Sequence, residues 1–233
     1  MVKRSKRYNQ TLEKIDVNKQ YSPNDAVGMV KDNATAKFDE SIELHLKTSA
    51  DSTQADQLIR GVVVLPHGVG KTPVVAVFVE GESATIANES GADFVGGDDL
   101  IKKVESGWTE FDVSIATPEM MGNVSKIGKE LGTKGLMPSP RNGTVVNSDS
   151  LESAIKQCKS GRAMYKLDSN SNIHSVVGKS SFEDSKIEEN IKDLINTINS
   201  SRPSKLKGDF LINIHLASTM GPSIKLDIDS IID

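Results

Sequence analysis

Residues 121–145 read MGNVSKIGKELGTKGLMPSPRNGTV and combine glycines, prolines and basic residues at short intervals. The glycines and cations interleave as Lys126, Gly128, Lys129, Gly132, Lys134, Gly135, Arg141 and Gly143. Glycines leave the backbone accessible and cations attract phosphate, so this composition suits a phosphate chain. Pro138 and Pro140 lack backbone donors and restrict φ, which predicts a stiff, extended second half. We therefore expect a loop here, although a simple connection between a helix and a strand would have the same composition.

On both sides of this stretch, short apolar segments alternate with helical ones. Strands are predicted at 74–79, 93–95, 112–116 and 144–146, and helices at 84–89, 100–105, from near Pro118, and at 151–159. A repeated strand-then-helix order predicts a parallel sheet with helices on both faces, that is, a small doubly wound domain. The only cysteine, Cys158, falls on the apolar side of the last helix. It is therefore expected to be a buried small side chain in a protein of a reducing compartment.

The segments on the two sides of this domain predict antiparallel strands with helices instead. Before it we predict a helix from Ser22 to about 33, a strand at 42–47, a short helix at 51–59 and a strand at 62–65. After it we predict a hairpin of 164–167 and 173–177, a helix through 198 that begins with a Ser185/Glu188 capping box, and an alternating strand at 210–216. The flanks thus form one discontinuous domain. The chain crosses between the domains near 66–70 and near 160, which predicts a hinge.

Composition and charge narrow the possible functions. The chain has 233 residues, 36% of them hydrophobic, and a net charge of −4. The acidity lies in 68–160, which has nine basic and thirteen acidic residues, whereas 1–20 has six basic and two acidic. The N-terminal segment therefore suggests a basic arm that reaches for RNA or merely aids solubility. The apolar runs are far shorter than the roughly 20 residues needed to cross a bilayer, and the basic start lacks a secretory apolar core. We expect a cytoplasmic protein without membrane contact.

Catalytic and metal-binding patterns are not evident in the sequence. The four histidines are scattered, without carboxylates or cysteine at ligand spacing, so we expect no metal, no cofactor and no catalytic residue. His45 and His215 would face solvent on their strands, and could contact RNA if those strands are neighbours, although ordinary solvated strand residues are the simpler interpretation. The run GVGKT at 68–72 suggests a nucleotide-binding loop, but Leu65 stands where such a loop needs glycine and a strand follows instead of a helix. The alternative from a different functional class is that the domain between the two flanks is an enzyme domain that binds a nucleotide or another small molecule.

Several ordered motifs point to one family. They are YSPNDAVGMVK at 21–31, KFDESIELHL at 37–46, RGVVVLPHGVGK at 60–71, the 121–145 stretch, IHSVVGKSSF at 173–182 and STMGPS at 218–223. Together they resemble the ribosomal protein L-one family of the large subunit, bacterial type. The resemblance implies a mixed α/β and α+β protein of two domains: a discontinuous split β-α-β sandwich, at 1–67 and 160–233, and an inserted Rossmann-like three-layer α/β domain, at 68–159. The acidic balance departs from the usual basic character of such proteins.

The same resemblance implies where RNA binds. The expected contact residues are Lys37, Phe38, Glu40, Ser41, Lys166, Asp168, Ser218, Thr219, Met220, Gly221 and Pro222. A secondary RNA-proximal loop would contribute Lys129, Lys134 and Arg141. Hydroxyls and an accessible backbone suit ribose hydroxyls, and Phe38 and Met220 offer flat apolar surfaces. From composition alone, 218–223 would be an ordinary turn and Phe38 a core residue.

The expected partners also follow from the family. They are a mobile stalk of large-subunit ribosomal RNA near the exit site, deacylated tRNA at that site, the mRNA of its own operon and other ribosomal components. The implied function is structural: to assist tRNA release in the cytoplasmic ribosome and to repress translation of its own mRNA. A ribosome-assembly factor of the same fold is the alternative.

Overall fold

The computed structural model describes residues 4–17, 19–54, 56–204 and 206–232. The chain divides into two compact units, Met1–Gly70 with Ala163–Asp233 (unit 1) and Lys71–Arg162 (unit 2). Each sequence-based domain boundary, at 67/68 and at 159/160, lies three residues before the corresponding boundary of these units.

The described chain contains both strands and helices, and they alternate regularly only from β3 to α5. The strands are β1 Ser41–Thr48, β2 Arg60–Val64, β3 Val75–Phe78, β4 Phe94–Gly96, β5 Val113–Ala116, β6 Arg162–Lys166, β7 Asn172–Lys179, β8 Leu211–Ser218 and β9 Ile224–Leu226. The helices are α1 Lys6–Leu12, α2 Pro23–Asn33, α3 Glu82–Glu89, α4 Asp98–Glu105, α5 Met121–Val124, α6 Gly128–Thr133, α7 Leu151–Lys159, α8 Asp184–Ser200 and α9 Asp229–Ile232. Within the described ranges, no helix has the length and apolar character needed to span a membrane.

Unit 1 is built on a four-stranded antiparallel sheet in the order β7-β1-β8-β9. Along β1, buried residues alternate with half-buried ones, and Ile42, Leu44 and Leu46 lie on the buried side. Side chains of α2 and α8 share one core with them, including Val27 and Ile191. The alternation predicted for this strand is confirmed, and it leaves the other face of the sheet open to solvent.

The predicted hairpin of 164–167 and 173–177 is wrong. β6 pairs with β2 in a separate two-stranded sheet, while β7 pairs with β1. A single bridge, between Leu167 and Ile173, remains between the two segments. Proximity in sequence favoured the local pairing, but β1 offers β7 a much longer ladder and a shared apolar core.

The strand β8 departs from simple alternation at Ile212. The register between β1 and β8 shifts between Lys47 and Thr48, whose partners are Asn213 and Leu211. This extra residue in β8 shifts the alternation of buried and exposed side chains by one position, so Leu211 is buried and Ile212 is 47% exposed. The prediction that Ile212 faces inward with Ile214 is therefore wrong.

Two helix starts that look alike in the sequence differ in the structure. The Ser22 hydroxyl oxygen accepts a hydrogen bond from the Asp25 backbone N–H at 3.2 Å, as predicted for the cap of α2. The predicted capping box of α8 is wrong, because the helix begins at Asp184 and no side chain caps it. Ser185 therefore lies within the first turn and not at its boundary.

We expect Ser22→Ala to lower the free energy of unfolding by about 1 kcal/mol, because it removes an N-cap hydrogen bond. Ser185→Ala is the matched control, since the same substitution there removes no cap. Denaturant unfolding of both variants measures the difference. Equal losses in the two variants would contradict the assignment of the cap.

Residues 51–59 form turns where a short helix was predicted. The Asp51 carboxylate accepts hydrogen bonds from the Thr53 backbone N–H and hydroxyl at 2.9 and 2.7 Å. Such local side-chain bonds compete with helix formation, which explains the failed prediction. Residue 55 lies outside the described residues.

Unit 2 has a three-stranded parallel sheet in the order β4-β3-β5. The central strand β3 is buried along its entire length. Val75 and Val77 pack with α7 on one face, and Ala76 and Phe78 pack with α4 on the other. A parallel sheet covered on both faces is the doubly wound arrangement that the alternating pattern predicts, and this fold class is confirmed. Cys158 is buried in one of these cores, as expected.

The first half of 121–145 is not a loop. It contains α5, a short 3-10 turn (Ser125–Ile127) and α6. Val124, Ile127 and Leu131 follow one another at helical spacing, and all three are fully buried. Each such burial contributes about 1.5–3 kcal/mol, which exceeds the cost of about 1 kcal/mol for a glycine within a helix. Apolar spacing therefore outweighs glycine content here.

The second half of this stretch is irregular, as its prolines predict. Pro140–Asn142 makes a 3-10 turn, and Gly143 follows with φ of 60°, a conformation that favours glycine. The predicted strand at 144–146 is reduced to a single bridge between Val145 and Ala116.

Candidate nucleic-acid interface

Two segments far apart in sequence meet at one end of the unit 1 sheet. Residues 36–41 precede and enter β1, and residues 218–222 leave β8, which pairs with β1. The Ser41 N–H donates to the Thr219 hydroxyl oxygen at 3.0 Å, and the Thr219 N–H donates to the Ser41 carbonyl at 3.0 Å. The pairing of β1 with β8 thus brings together the two largest groups of predicted contact residues.

The buried side chain of Glu40 links these two segments. Its side chain is only 1% exposed, and its two carboxylate oxygens accept hydrogen bonds at 2.9 Å from the backbone N–H groups of Ala36 and Met220. Burial alone would raise the pKa of Glu40, but these two donors, the Ser218 hydroxyl and the Arg7 charge lower its pKa overall. Glu40, which was predicted as a contact residue, is buried here, and its hydrogen bond to the Met220 N–H holds the backbone of the turn in place.

The turn after β8 is closely packed beneath its surface. Ser218 is 5% exposed and its hydroxyl oxygen, although near enough to lower the pKa of Glu40, makes no hydrogen bond of normal geometry among the described residues. A Cβ at Gly221 would lie 2.5 Å from that oxygen, so a larger residue there would force the Ser218 hydroxyl to move. Pro222 is also buried. Three of the predicted contact residues, Ser218, Gly221 and Pro222, therefore determine the shape of the turn by their packing.

The exposed side chains of this end combine apolar surface with positive charge. Phe38 is 54% exposed and Met220 is 51% exposed. Lys37, the residue before Phe38, is also exposed. Phe38 and Met220 lie on segments that meet at this end, and their exposed apolar surfaces are available to a ligand. Thr219 is exposed as well, but its hydroxyl is already bonded to Ser41 in both directions.

Asp39 is an anchoring residue of this end of the sheet that sequence reasoning missed. Its carboxylate accepts hydrogen bonds from the Ser180 hydroxyl and from the Ser181 hydroxyl and N–H, at 2.8 to 3.1 Å. The Ser180 hydroxyl and the other donors lower the pKa of Asp39. These bonds anchor the residue that follows Phe38 to the end of β7. A carboxylate inside the 37–41 motif was visible in the sequence, but its partners lie 141 and 142 residues away.

Lys166 and Asp168 are at the end of β6 and in the turn that follows it. Lys166 is exposed. The Asp168 carboxylate accepts hydrogen bonds from the backbone N–H groups of Asn170 and Asn172 at 2.9 and 2.7 Å, which lowers its pKa. Asp168 also lies 3.5 Å from the His174 side chain on β7. Asp168 therefore organises the turn, whereas the Lys166 ammonium makes no ion pair or hydrogen bond with the residues that the structure describes.

The predicted secondary loop belongs to unit 2. Lys129, Lys134 and Arg141 are all exposed there. The Lys134 ammonium donates to the Thr109 hydroxyl, and Arg141 lies in the 3-10 turn after the two prolines. The three cations do not share one secondary-structure element, because Lys129 lies in α6, Lys134 follows its end and Arg141 lies in the later 3-10 turn.

The basic N-terminal segment contributes charge to the site in unit 1. Helix α1 begins after Ser5, and the Arg7 charge is close enough to Glu40 to help lower its pKa. Residues 1–3 and 18 of the predicted arm lie outside the described residues.

The GVGKT run has a different role from the nucleotide loop that it resembles. The Lys71 ammonium lies 2.6 Å from the Asp112 carboxylate, and the chain continues into β3 without a helix. A phosphate-binding loop needs that helix. Among the residues that the structure describes, no group of three or more His, Cys, Asp or Glu side chains is arranged to hold a metal ion.

Comparison with known proteins gives a consistent result. The sequence profile described as "Ribosomal protein L1p/L10e family" matches residues 30–222. The chain is 48% identical to the large ribosomal subunit protein uL1 of Oenococcus oeni over 229 residues, which cover 98% of this chain and 99% of that protein. It is 47% identical to uL1 of Thermomicrobium roseum, covering all of this chain and 97% of that protein, and 44% identical to uL1 of Kosmotoga olearia, covering both completely. The matched profile includes both segments of the interface, and the chain belongs to the ribosomal protein L1p/L10e family.

Proposed function

We propose that the protein is a structural constituent of the large ribosomal subunit and binds a mobile stalk of ribosomal RNA through the exposed end of the β1–β8 pair. The observation that supports this most is the junction of 36–41 with 218–222. There, a buried carboxylate and backbone hydrogen bonds hold Phe38, Thr219 and Met220 at the surface. Preorganised contacts of this kind lower the entropy cost of binding.

The chemistry of the exposed groups suits structured RNA. Phe38 and Met220 supply apolar faces for bases and riboses, and Lys37 with Arg7 supplies charge for phosphates. The local cations matter because the whole chain has a net charge of −4 and cannot rely on nonspecific attraction. Lys166 is proposed as a further contact at the β6 end. Lys129, Lys134 and Arg141 are proposed as secondary contacts of unit 2.

The finer roles extend this proposal. The protein would act in the cytoplasmic ribosome near the exit site and assist the release of deacylated tRNA. It would also bind the mRNA of its own operon and repress its translation. If one patch serves both RNAs, a leader transcript of that operon should compete with the ribosomal stalk fragment for the protein. Independent binding of the two RNAs would contradict a shared site.

Thr219→Ala combined with Met220→Ala should weaken binding to a stalk RNA fragment by about 1–3 kcal/mol at fixed salt. Met220 loses an apolar contact surface, and Thr219 loses the hydroxyl that links it to Ser41. Filter binding or fluorescence anisotropy measures the affinity. Ile86→Ala on α3, which also truncates a partly exposed apolar side chain, is the control and should bind normally. Unchanged affinity of the double variant would remove Thr219 and Met220 from the site.

The assembly-factor alternative predicts a different association with ribosomes. A constituent protein remains with mature large subunits in a high-salt sucrose gradient, whereas an assembly factor sediments only with precursors. The named relatives are ribosomal proteins, which supports the first outcome and a non-enzymatic role. Saturable binding of ATP or GTP in calorimetry would favour the enzymatic hypothesis instead.

A further inference from the structure

Three of the four histidines form one row across the unit 1 sheet. On β1, His45 lies opposite His174 of β7 and opposite His215 of β8, and His215 lies opposite Lys225 of β9. Residues opposite one another on paired strands share a face, so the row runs over all four strands and is about 14 Å long at the usual strand spacing. The strands of His45 and His215 are neighbours, which was the condition for the two histidines to contact RNA together, and His174 extends the group.

The row lies on the open face of the sheet, between the two ends of the proposed interface. His45 is four residues along β1 from Ser41, about 13 Å at the usual rise per residue. At the other end of the row, the His174 side chain lies 3.5 Å from the Asp168 carboxylate. An RNA that contacts both ends would therefore pass over the histidines.

His45 and His174 are directly hydrogen-bonded, with their Nδ1 atoms 2.8 Å apart. One ring must donate and the other accept, so in this arrangement at least one Nδ1 carries no proton. A single added proton can reside on the donating ring without breaking the bond, and it makes the bond charge-assisted. A second proton would put hydrogens on both Nδ1 atoms and break it. The pair is therefore built to take up one proton.

The surroundings of two of the three histidines, His45 and His215, favour the neutral ring in the absence of a ligand. Burial lowers the pKa of His45, and His174 and His215 add to this, while Glu43 opposes it. Burial and the Lys225 charge lower the pKa of His215. The charged groups facing the row are Glu43 and Lys47 from β1, Asp168 from the turn before β7, and Lys225 from β9. The two negative and two positive charges balance, so an approaching phosphate would have the main influence on whether the histidines are protonated.

We infer that this histidine row is a proton-linked binding strip for the phosphate backbone of the RNA. The inference rests on the proposed function. Phosphate groups over the row would stabilise one added proton on the His45–His174 pair and favour a second on His215. Binding would then be coupled to proton uptake and would strengthen as the pH falls.

The test measures the dissociation constant for a stalk RNA fragment between about pH 6 and about pH 8 at constant ionic strength, across the range where histidine titrates. We expect the dissociation constant of the unaltered protein to rise with pH, by up to about 10-fold per pH unit for each proton taken up. His45→Gln with His215→Gln should flatten this dependence. His67→Gln is the matched control, because His67 bonds to Glu189 of α8 outside the row, and it should retain the full dependence. The same RNA is used throughout, so any titration of the RNA itself cancels.

Two further measurements use the unaltered protein, so they test the inference even if the double variant misfolds. Calorimetry of the unaltered protein in buffers of different ionisation enthalpy counts the protons taken up on binding. Nuclear magnetic resonance follows whether the His45 and His215 rings become protonated at higher pH in the complex. Proton uptake with an upward shift supports the inference. Equal pH dependence in the unaltered protein and the double variant, or no proton uptake, overturns it while leaving RNA binding intact. Absence of RNA binding at every pH would overturn the proposed function, and this inference with it.

Discussion

Replacing Glu40 with alanine is expected to lower the free energy of unfolding by about 2–4 kcal/mol and to weaken RNA binding at least as much as loss of the Thr219 and Met220 side chains. The carboxylate is 1% exposed and accepts two backbone hydrogen bonds, from Ala36 and Met220. Hydrogen bonds to a charged group contribute about 1.5–3 kcal/mol each, and water can replace only part of them in so closed a site. Without Glu40, the two segments of the interface lose their internal link.

Glu43→Ala is the matched control for this change. It also removes one negative charge, from β1 three residues further along the chain, so the change in net charge is common to both variants. Glu43 lies on the open face and holds no backbone N–H in the structure described. Glu40→Gln should fall between the two, because an amide offers one acceptor where the carboxylate offers two. Equal stability of the Glu40 and Glu43 variants in denaturant unfolding would refute the positioning role.

The stability effect of Glu40 should also depend on pH in a defined direction. Its folded-state pKa lies below the ordinary value of 4.5, so its contribution to stability is present above that value and is lost as the pH falls through the folded-state pKa. The difference in unfolding free energy between the unaltered protein and Glu40→Ala should therefore shrink in acid. A difference that grows on acidification would show that the carboxylate is not stabilised in its ionised form.

Asn190→Ala should lower the free energy of unfolding by about 2–4 kcal/mol, although a single amide is removed. Asn190 is fully buried on α8, its amide nitrogen donates to the carbonyls of Gly68 and Val177 at 2.9 and 2.8 Å, and its oxygen accepts from the His67 N–H at 3.2 Å. Alanine would leave these backbone groups without their partner in the core, and a buried unsatisfied group costs about 1–3 kcal/mol.

Asn196→Ala provides the control on the same helix. Asn196 is exposed, and both substitutions raise helix propensity equally, so the difference between them reports the buried hydrogen bonds. Thermal and denaturant unfolding should show a clear loss for Asn190→Ala and almost none for Asn196→Ala. If both variants unfold alike, the three hydrogen bonds contribute nothing measurable. Asn190 also illustrates a limit of sequence reasoning, since the apolar residues around it predicted the buried face of α8 but gave no signal for the amide.

Features that depend on neighbouring residues were predictable from the sequence. The cap at Ser22, the alternation along β1, the buried β3 and the apolar face of α7 all follow from local spacing, because helix and strand periods are set by the backbone itself. The resemblance of several ordered motifs added the family and the candidate contact residues. Where two local signals competed, as in 121–145, the sequence did not show that buried Val124, Ile127 and Leu131 would outweigh the glycines.

Only the tertiary structure decided which distant segments meet. It paired β6 with β2 and not with β7, buried Glu40 between two segments of the interface, and aligned His174, His45 and His215 in one row. The physical reason is that strand pairing is a choice among many long-range partners, determined by the total burial and hydrogen bonding of the whole sheet. By itself, the sequence determined the periods, the cap of α2 and the family of this protein. The fold determined which of its polar residues face a ligand and which hold the surface in place.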